Sequence, residues 1–215
     1  NDMRTFPSDA RPADHKGAGI EPSLSDVVSL CHSFFRRVAQ GEIEIYNEFS
    51  LQFELAGHLR ERLGSTAKIQ FERPVEYFKI PNRQRKREID LCVCSPDLDR
   101  RLAVELKFPF SQVPEQMFSV CGDILFLEQL CDHGFEGGIQ ILVAGTSQLY
   151  SGSRLDGIYA HFRGHAPIRD SIPKPTGTKP DRVQLRGTYA IHWKPLQNKT
   201  RYALTEVRPA TTSGA

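Results

Sequence analysis

A chain of 215 residues is long enough for one domain with a sizeable single core, and 39% hydrophobic against 25% charged residues is an ordinary globular balance. The formal net charge of +2 is too mild to demand a polyanionic partner by itself, so the placement of the basic residues matters more than their number. No apolar run approaches the ~20 residues that span a bilayer, and the N-terminus lacks a secretory apolar stretch, so a soluble, cytoplasmic protein with no membrane partner is expected.

Residues 1–22 are polar, aperiodic and rich in Pro, Gly and Asp, which predicts a disordered tail; 209–215 form a second flexible tail, leaving one domain over 23–208. Ser23 or Ser25 can cap a helix whose apolar residues from Val27 to Val38 recur at helical spacing, ending at Gly41. A second helix is predicted from Asn47 to Leu63, stopped by Gly64. The period then changes: 68–71, 87–94 and 101–108 are short and rich in Ile, Val, Leu and Phe, and read as three consecutive strands. Pro114 opens a helix through Leu130, and the apolar run Ile139–Val143 is a buried strand. Farther on, 155–163 reads as a short helix, Gly164–Lys179 as a loop, and Val183–Trp193 and Tyr202–Val207 as two closing strands. The odd count of five cysteines, mostly inside apolar patterns, reads as reduced core residues; a zinc site from Cys31, His32, Cys131 and His133 lacks paired C-x-x-C spacing.

The chemistry concentrates in residues 87–94 (REIDLCVC) and 101–108 (RLAVELKF). Ile89, Leu91 and Val93 share one face of the first strand, leaving Asp90 on the other; Leu102, Val104, Leu106 and Phe108 share one face of the second, leaving Glu105 and Lys107 opposite. If residues 95–100 close a hairpin symmetrically, residue i faces residue 195 − i and Asp90 falls opposite Glu105. Cβ atoms in such a pair lie ~5 Å apart. Two carboxylates that close resist burial unless a cation neutralises them. Mg²⁺, a hard ion that takes one or two carboxylates and keeps positions for water and phosphate, suits the pair, and Lys107 stands over the same place. A Glu-x-Lys on a strand is ordinarily a solvated ion pair worth about 0–1 kcal/mol. The matching cross-strand acid and the apolar flanks point instead to a site.

These residues and this order of elements resemble the PD-(D/E)XK, or restriction-endonuclease-like, nuclease superfamily over residues 46–145. The resemblance implies an α/β fold with an αβββαβ core, a central mixed sheet flanked by helices, its first acid on the second core strand and its Glu-x-Lys on the third. Asp90, Glu105 and Lys107 occupy those positions, although Ile89 stands where the motif has proline. It implies further that Mg²⁺ or Mn²⁺ is held by Asp90, Glu105 and the Leu106 carbonyl, that the substrate is nucleic acid, DNA by preference, and that a homodimer is compatible. Many members carry an acid on the preceding helix. Glu48 lies on the stripe of Gln52, Leu55, Leu59 and Leu63, whereas Glu54 lies with His58 and Glu61 on a polar face, so Glu48 is the choice. Gln116 and Asp123 on the following helix are further polar candidates outside the main set.

A basic run, Lys79, Arg83, Arg85, Lys86 and Arg87, broken by the turn residues Pro81 and Asn82, leads into the strand of Asp90 and is placed to bind flanking phosphates. The function expected is a divalent-metal-dependent nuclease with a restriction, repair or defence role. The rival is a non-catalytic nucleic-acid-binding or assembly module that keeps the fold; it has no need of the acid pair and lysine.

Overall fold

The structure is a computed structural model that describes residues 22–178 and 180–210. Most of the expected N-terminal tail, Lys179 in the expected loop, and residues 211–215 of the C-terminal tail lie outside them. Among the described residues no helix is long and apolar enough to cross a membrane.

Helix α1 (Leu24–Ala39) starts at a capping box, Ser23 accepting from the Asp26 amide while Asp26 accepts from the Ser23 amide. Helix α2 (Glu48–Leu63) is capped by Asn47 and ends at Gly64, whose φ of 54° favours glycine. Strands β1 (Lys68–Pro74), β2 (Glu88–Cys94) and β3 (Arg101–Lys107) follow, then helix α3 (Val113–Asp132) and strand β4 (Gly137–Ala144). Helix α4 (Gly157–Phe162), the short strands β5 (Ser171–Pro173), β6 (Arg182–Gln184) and β7 (Lys194–Pro195), and β8 (Arg201–Val207) complete the chain. The main sheet has six strands in the order β1-β2-β3-β4-β8-β7; β3 and β4 are parallel and the other pairs antiparallel. The result is a mixed α/β fold with a mixed sheet flanked by helices.

Two apolar clusters fill the two faces of this sheet. On one, α1 and α2 supply Val27, Phe34, Phe35, Leu51, Leu55 and Leu59 against Leu91, Val93, Val104 and Ile141. On the other, α3 supplies Val120, Ile124 and Leu127 against Cys92, Ala103 and Leu142, and is covered outside by Ile168, Ile172, Val183, Leu185 and Ile191 of the C-terminal arm. An α3 sandwiched between sheet and arm is buried almost all round, which is why its apolar residues do not form a single stripe. Four of the five cysteines are buried and all five are free; Cys31 and Cys131 belong to opposite faces.

Three sequence expectations differ from the structure. Ile89 lies in the α3-face cluster with Val75, Phe78 and Ile80 and not with Leu91 and Val93; the β1–β2 pairing skips the Glu72–Asp90 pair between Ile89 and Leu91, and Glu72 has a φ of 45°. His58 is buried instead of lining a polar face, its ring against Phe34 at 5.8 Å and its Nδ1 3.3 Å from Arg37 Nη1. Residues 183–193 do not form one strand: after β6 the amides of Arg186 and Gly187 donate to the Glu128 carboxylate, at 3.1 and 2.7 Å, and not to a strand neighbour. The hairpin of β7 and β8 closes on Asn198 and Lys199, with φ of 52° and 65°, the geometry of a type I′ turn.

Glu128 is the clasp of the arm. Buried on α3, it also accepts from the Tyr189 hydroxyl at 2.7 Å. Trp193 closes the arm farther on, donating to the Phe162 carbonyl at 2.8 Å. Glu128→Ala strands two part-buried amides and a hydroxyl, so urea unfolding is expected to show a loss of about 3 kcal/mol, with Tyr189→Phe losing about 1. An unchanged midpoint for Glu128→Ala would show that the arm docks by apolar contact alone.

Candidate functional site

The ladder between β2 and β3 pairs Cys94 with Arg101 through Leu91 with Val104, so residue i does face residue 195 − i, and it stops one pair short of Asp90 and Glu105. Side chains take over there. Asp90 Oδ2 accepts from the Leu106 amide at 2.8 Å, and the Asp90 amide donates to Glu105 Oε1 at 3.3 Å. The Asp90 carbonyl accepts from Gln52 Nε2 on α2 at 2.8 Å, and the same Nε2 donates to Glu72 at 2.7 Å. Glu72, opposite Asp90 on β1, is skipped by the β1–β2 pairing and has a φ of 45°. Because the N–H and C=O of one strand residue point to the same neighbour, the Leu106 carbonyl also lies on the Asp90 side, where Lys107 Nζ donates to it at 3.0 Å.

Four carboxylates from four elements gather round this gap. Glu105 is fully buried and Asp90 has 14% of its side chain exposed. Glu48, in the first turn of α2, reaches round the end of β3: Oε2 accepts from the Phe108 amide at 3.2 Å and Oε1 lies 3.5 Å from Lys107 Nζ. Asp123, buried on α3, lies 3.8 Å from Lys107 Nζ and 3.7 Å from Lys86 Nζ. Lys86 Nζ is 3.0 Å from Asp90 Oδ1 and touches Glu105 Oε2. Among the described residues no three His, Cys, Asp or Glu side chains form a metal-holding group; the ammonium of Lys86 stands between the acids instead.

Comparison with protein-family models, with curated proteins and with solved structures finds no match. The site must be judged on its own chemistry.

Burial, reinforced by Asp90, pushes the Glu105 carboxyl well above its ordinary range despite Lys86. Burial likewise pushes Asp123 up to about 6, against the pull of Lys107 and Lys86. For both lysines burial alone would lower the pKa, but the surrounding acids outweigh it: Glu105, Asp123 and Asp90 for Lys86, and Asp123, Glu48 and Asp90 for Lys107. Both therefore stay ammonium beyond the ordinary lysine range. When Glu48, Asp90, Glu105 and Asp123 are all ionised, four negative charges face the two positive ones of Lys86 and Lys107.

Glu48, Asp90, Glu105 and Lys107 are thus brought together, and so is Asp123. Gln52 and Gln140 join them: Gln140 is the register partner of Glu105 on β4, fully buried, with Oε1 lacking a hydrogen-bond partner. Both had a legible signal in a polar residue interrupting an apolar pattern. Gln116 is half-buried on α3. The basic run divides. Lys86 points inward, Arg85 pairs with Asp181 at 2.8 Å and stacks over Phe118, and Lys79, Arg83 and Arg87 are exposed. Two clefts open on the site, one of about 290 Å³ on the α2 side lined by Glu48, Phe49, Gln52, Glu72, Asp90 and Leu106, the other of about 310 Å³ on the α3 side where Arg85, Lys86, Lys107 and Lys174 face Glu115, Asp123 and Asp181.

Proposed function

We propose that the chain is a divalent-metal-dependent nuclease of the PD-(D/E)XK type that hydrolyses phosphodiester bonds in DNA. The observation that carries this reading is the meeting of Asp90 and Glu105 where the β2–β3 ladder ends, with the Lys107 ammonium two residues along β3. The order α2-β1-β2-β3-α3-β4 supports it, because it follows the αβββαβ order of that superfamily. The donors fit Mg²⁺ or Mn²⁺: Asp90, Glu105 and the Leu106 carbonyl are hard oxygens, few enough to leave positions for water and phosphate. An ion held there supplies a water made nucleophilic and charge to offset that gathering on the phosphate.

The chain's own groups do the rest. Lys107 presents a fixed ammonium to the phosphate or its attacking water, held by the Leu106 carbonyl and by Glu48 and Asp123. Glu48 fixes the Phe108 amide and so the end of β3. Gln52 holds the backbone of Asp90 and thereby the aim of its carboxylate. Lys79, Arg83 and Arg87 offer exposed charge to flanking phosphates. DNA is preferred to RNA on the family resemblance alone. The rival, a non-catalytic nucleic-acid-binding or assembly module, is favoured by one observation: Lys86 already neutralises the acid pair from within the chain.

Circular and linear DNA, single- and double-stranded, incubated with Mg²⁺ and with EDTA, separates the two. Cleavage is expected only with the ion, and Glu105→Ala is expected to lower it by at least about 10²-fold while weakening Mg²⁺ binding. Cut circles indicate endonuclease action, and double-strand breaks without nicked intermediates indicate two copies acting together. No cleavage of any substrate in Mg²⁺ or Mn²⁺, with Mg²⁺ binding unchanged by Glu105→Ala, would leave the binding module standing.

A further inference from the structure

We propose that Lys86 is a built-in placeholder for the divalent cation: its ammonium holds the position between Asp90, Glu105 and Asp123 until the ion enters, and the ion evicts it into the cleft lined by Arg85 and Lys174. The inference rests on the metal-dependent reading above and adds what that reading lacks, a state of the site before metal arrives.

Three carboxylates from β2, β3 and α3 converge on one Nζ, at 3.0 Å for Asp90, in contact for Glu105 and at 3.7 Å for Asp123. The oxygens nearest that ammonium, from Asp90 and Glu105, are hard donors of the kind Mg²⁺ or Mn²⁺ takes, and a monovalent cation occupies the space between them. A buried acid pair that is ionised and left with no cation is strongly unfavourable, so positive charge is needed in the gap whenever both acids are ionised. Lys86 meets that need without committing the sheet. It belongs to neither β1 nor β2 but to the connection between them, so its side chain can leave with the β2–β3 ladder intact. Arg85 fixes that connection at two points, donating through its amide to Gln129 at 2.8 Å and through its guanidinium to Asp181. The pivot therefore falls at Lys86 itself.

A divalent ion between Asp90 and Glu105 would compete with the Lys86 ammonium for the same carboxylate oxygens, and their mutual repulsion at that distance favours release of the lysine. An exit is present: Lys86 already lines the α3-side cleft with Arg85 and Lys174. There the released ammonium joins Arg85, Lys107 and Lys174 opposite Glu115, Asp123 and Asp181, freed from Asp90 and Glu105 to meet a phosphate. Metal entry would thus load the acids and arm the cleft in one exchange.

Two measurements on the full chain test this. Titration calorimetry with MnCl₂ alone is expected to show Lys86→Met binding Mn²⁺ about tenfold more tightly than wild type, since a competing charge has been removed. The second needs no variant. Amine acylation of wild type, read by peptide mass spectrometry, is expected to modify Lys86 slowly without metal and several-fold faster in saturating Mn²⁺, with exposed Lys79 as the unmoved control. Equal or weaker Mn²⁺ binding by Lys86→Met, or Lys86 acylation indifferent to Mn²⁺, overturns the placeholder while leaving the nuclease reading intact. Absence of Mn²⁺ binding by both proteins removes the metal-dependent reading and the placeholder with it.

Discussion

Lys107→Ala is expected to lower the rate of DNA cleavage at saturating substrate by about 10²-fold or more while leaving DNA affinity close to wild type. The side chain has 15% exposure, and its ammonium is held by groups from α2, α3 and its own strand. A charge so placed is pre-oriented, and losing it affects the transition state more than the bound substrate. The raised pKa of Lys107 sharpens the expectation. The acids outweigh burial and hold the group protonated past the ordinary lysine range, so it acts as a positive charge and not as a base. Single-turnover cleavage should therefore show no loss between pH 7 and 10 assignable to this residue. A rate rising tenfold per pH unit in that window, and made flat by Lys107→Ala, would make Lys107 a general base instead. Equal loss of binding and cleavage in Lys107→Ala would make it a binding residue.

Asp123→Asn is expected to stabilise the metal-free protein at neutral pH and to impair its chemistry. Asp123 is buried, Oδ2 lacks a hydrogen-bond partner, and burial raises its pKa from 3.8 to about 6. The folded state therefore holds this proton more tightly than the unfolded chain does. The resulting stability is fully present below the unfolded value of 3.8 and is lost as pH rises through about 6. Removing the ionisation should recover up to about 3 kcal/mol above pH 6 and almost nothing near pH 4. In EDTA, calorimetry should show Asp123→Asn melting several degrees above wild type at pH 7.5, with the two converging near pH 4. A gain of the same size at both pH values would place the effect in packing or hydrogen bonding and not in buried charge.

The hairpin of Asp90 and Glu105 was legible because a strand's period of two is rigid. With residues 95–100 as the connection, only one register sets apolar faces together, and the ladder from Leu91 to Cys94 follows it. The cap of α1 was legible as Ser23 or Ser25 and the start of α2 as Asn47, because a cap is a local hydrogen bond encoded by adjacent residues. Long-range satisfaction was hidden. Nothing around Arg186 announces that its amide will bond to Glu128 on α3, so residues 183–193 read as a strand. The inward turn of Lys86 was equally hidden: a basic run looks solvated until the acids it can reach are placed in space. Asp123 and Gln140 were half legible, each a polar residue in an apolar run, but a single such position does not reveal whether it faces water or a site.

The closure of the arm by Trp193 gives the molecule an optical property of its own. It is the chain's one tryptophan, seated against Tyr150 at 5.7 Å and bonded to the Phe162 carbonyl at the end of α4. Intrinsic emission therefore reports the seating of the arm over α4, a region separate from the acids and lysines of the candidate site. During refolding the same signal dates the moment at which the arm closes over α4, while far-ultraviolet dichroism follows the helices and sheet beneath it.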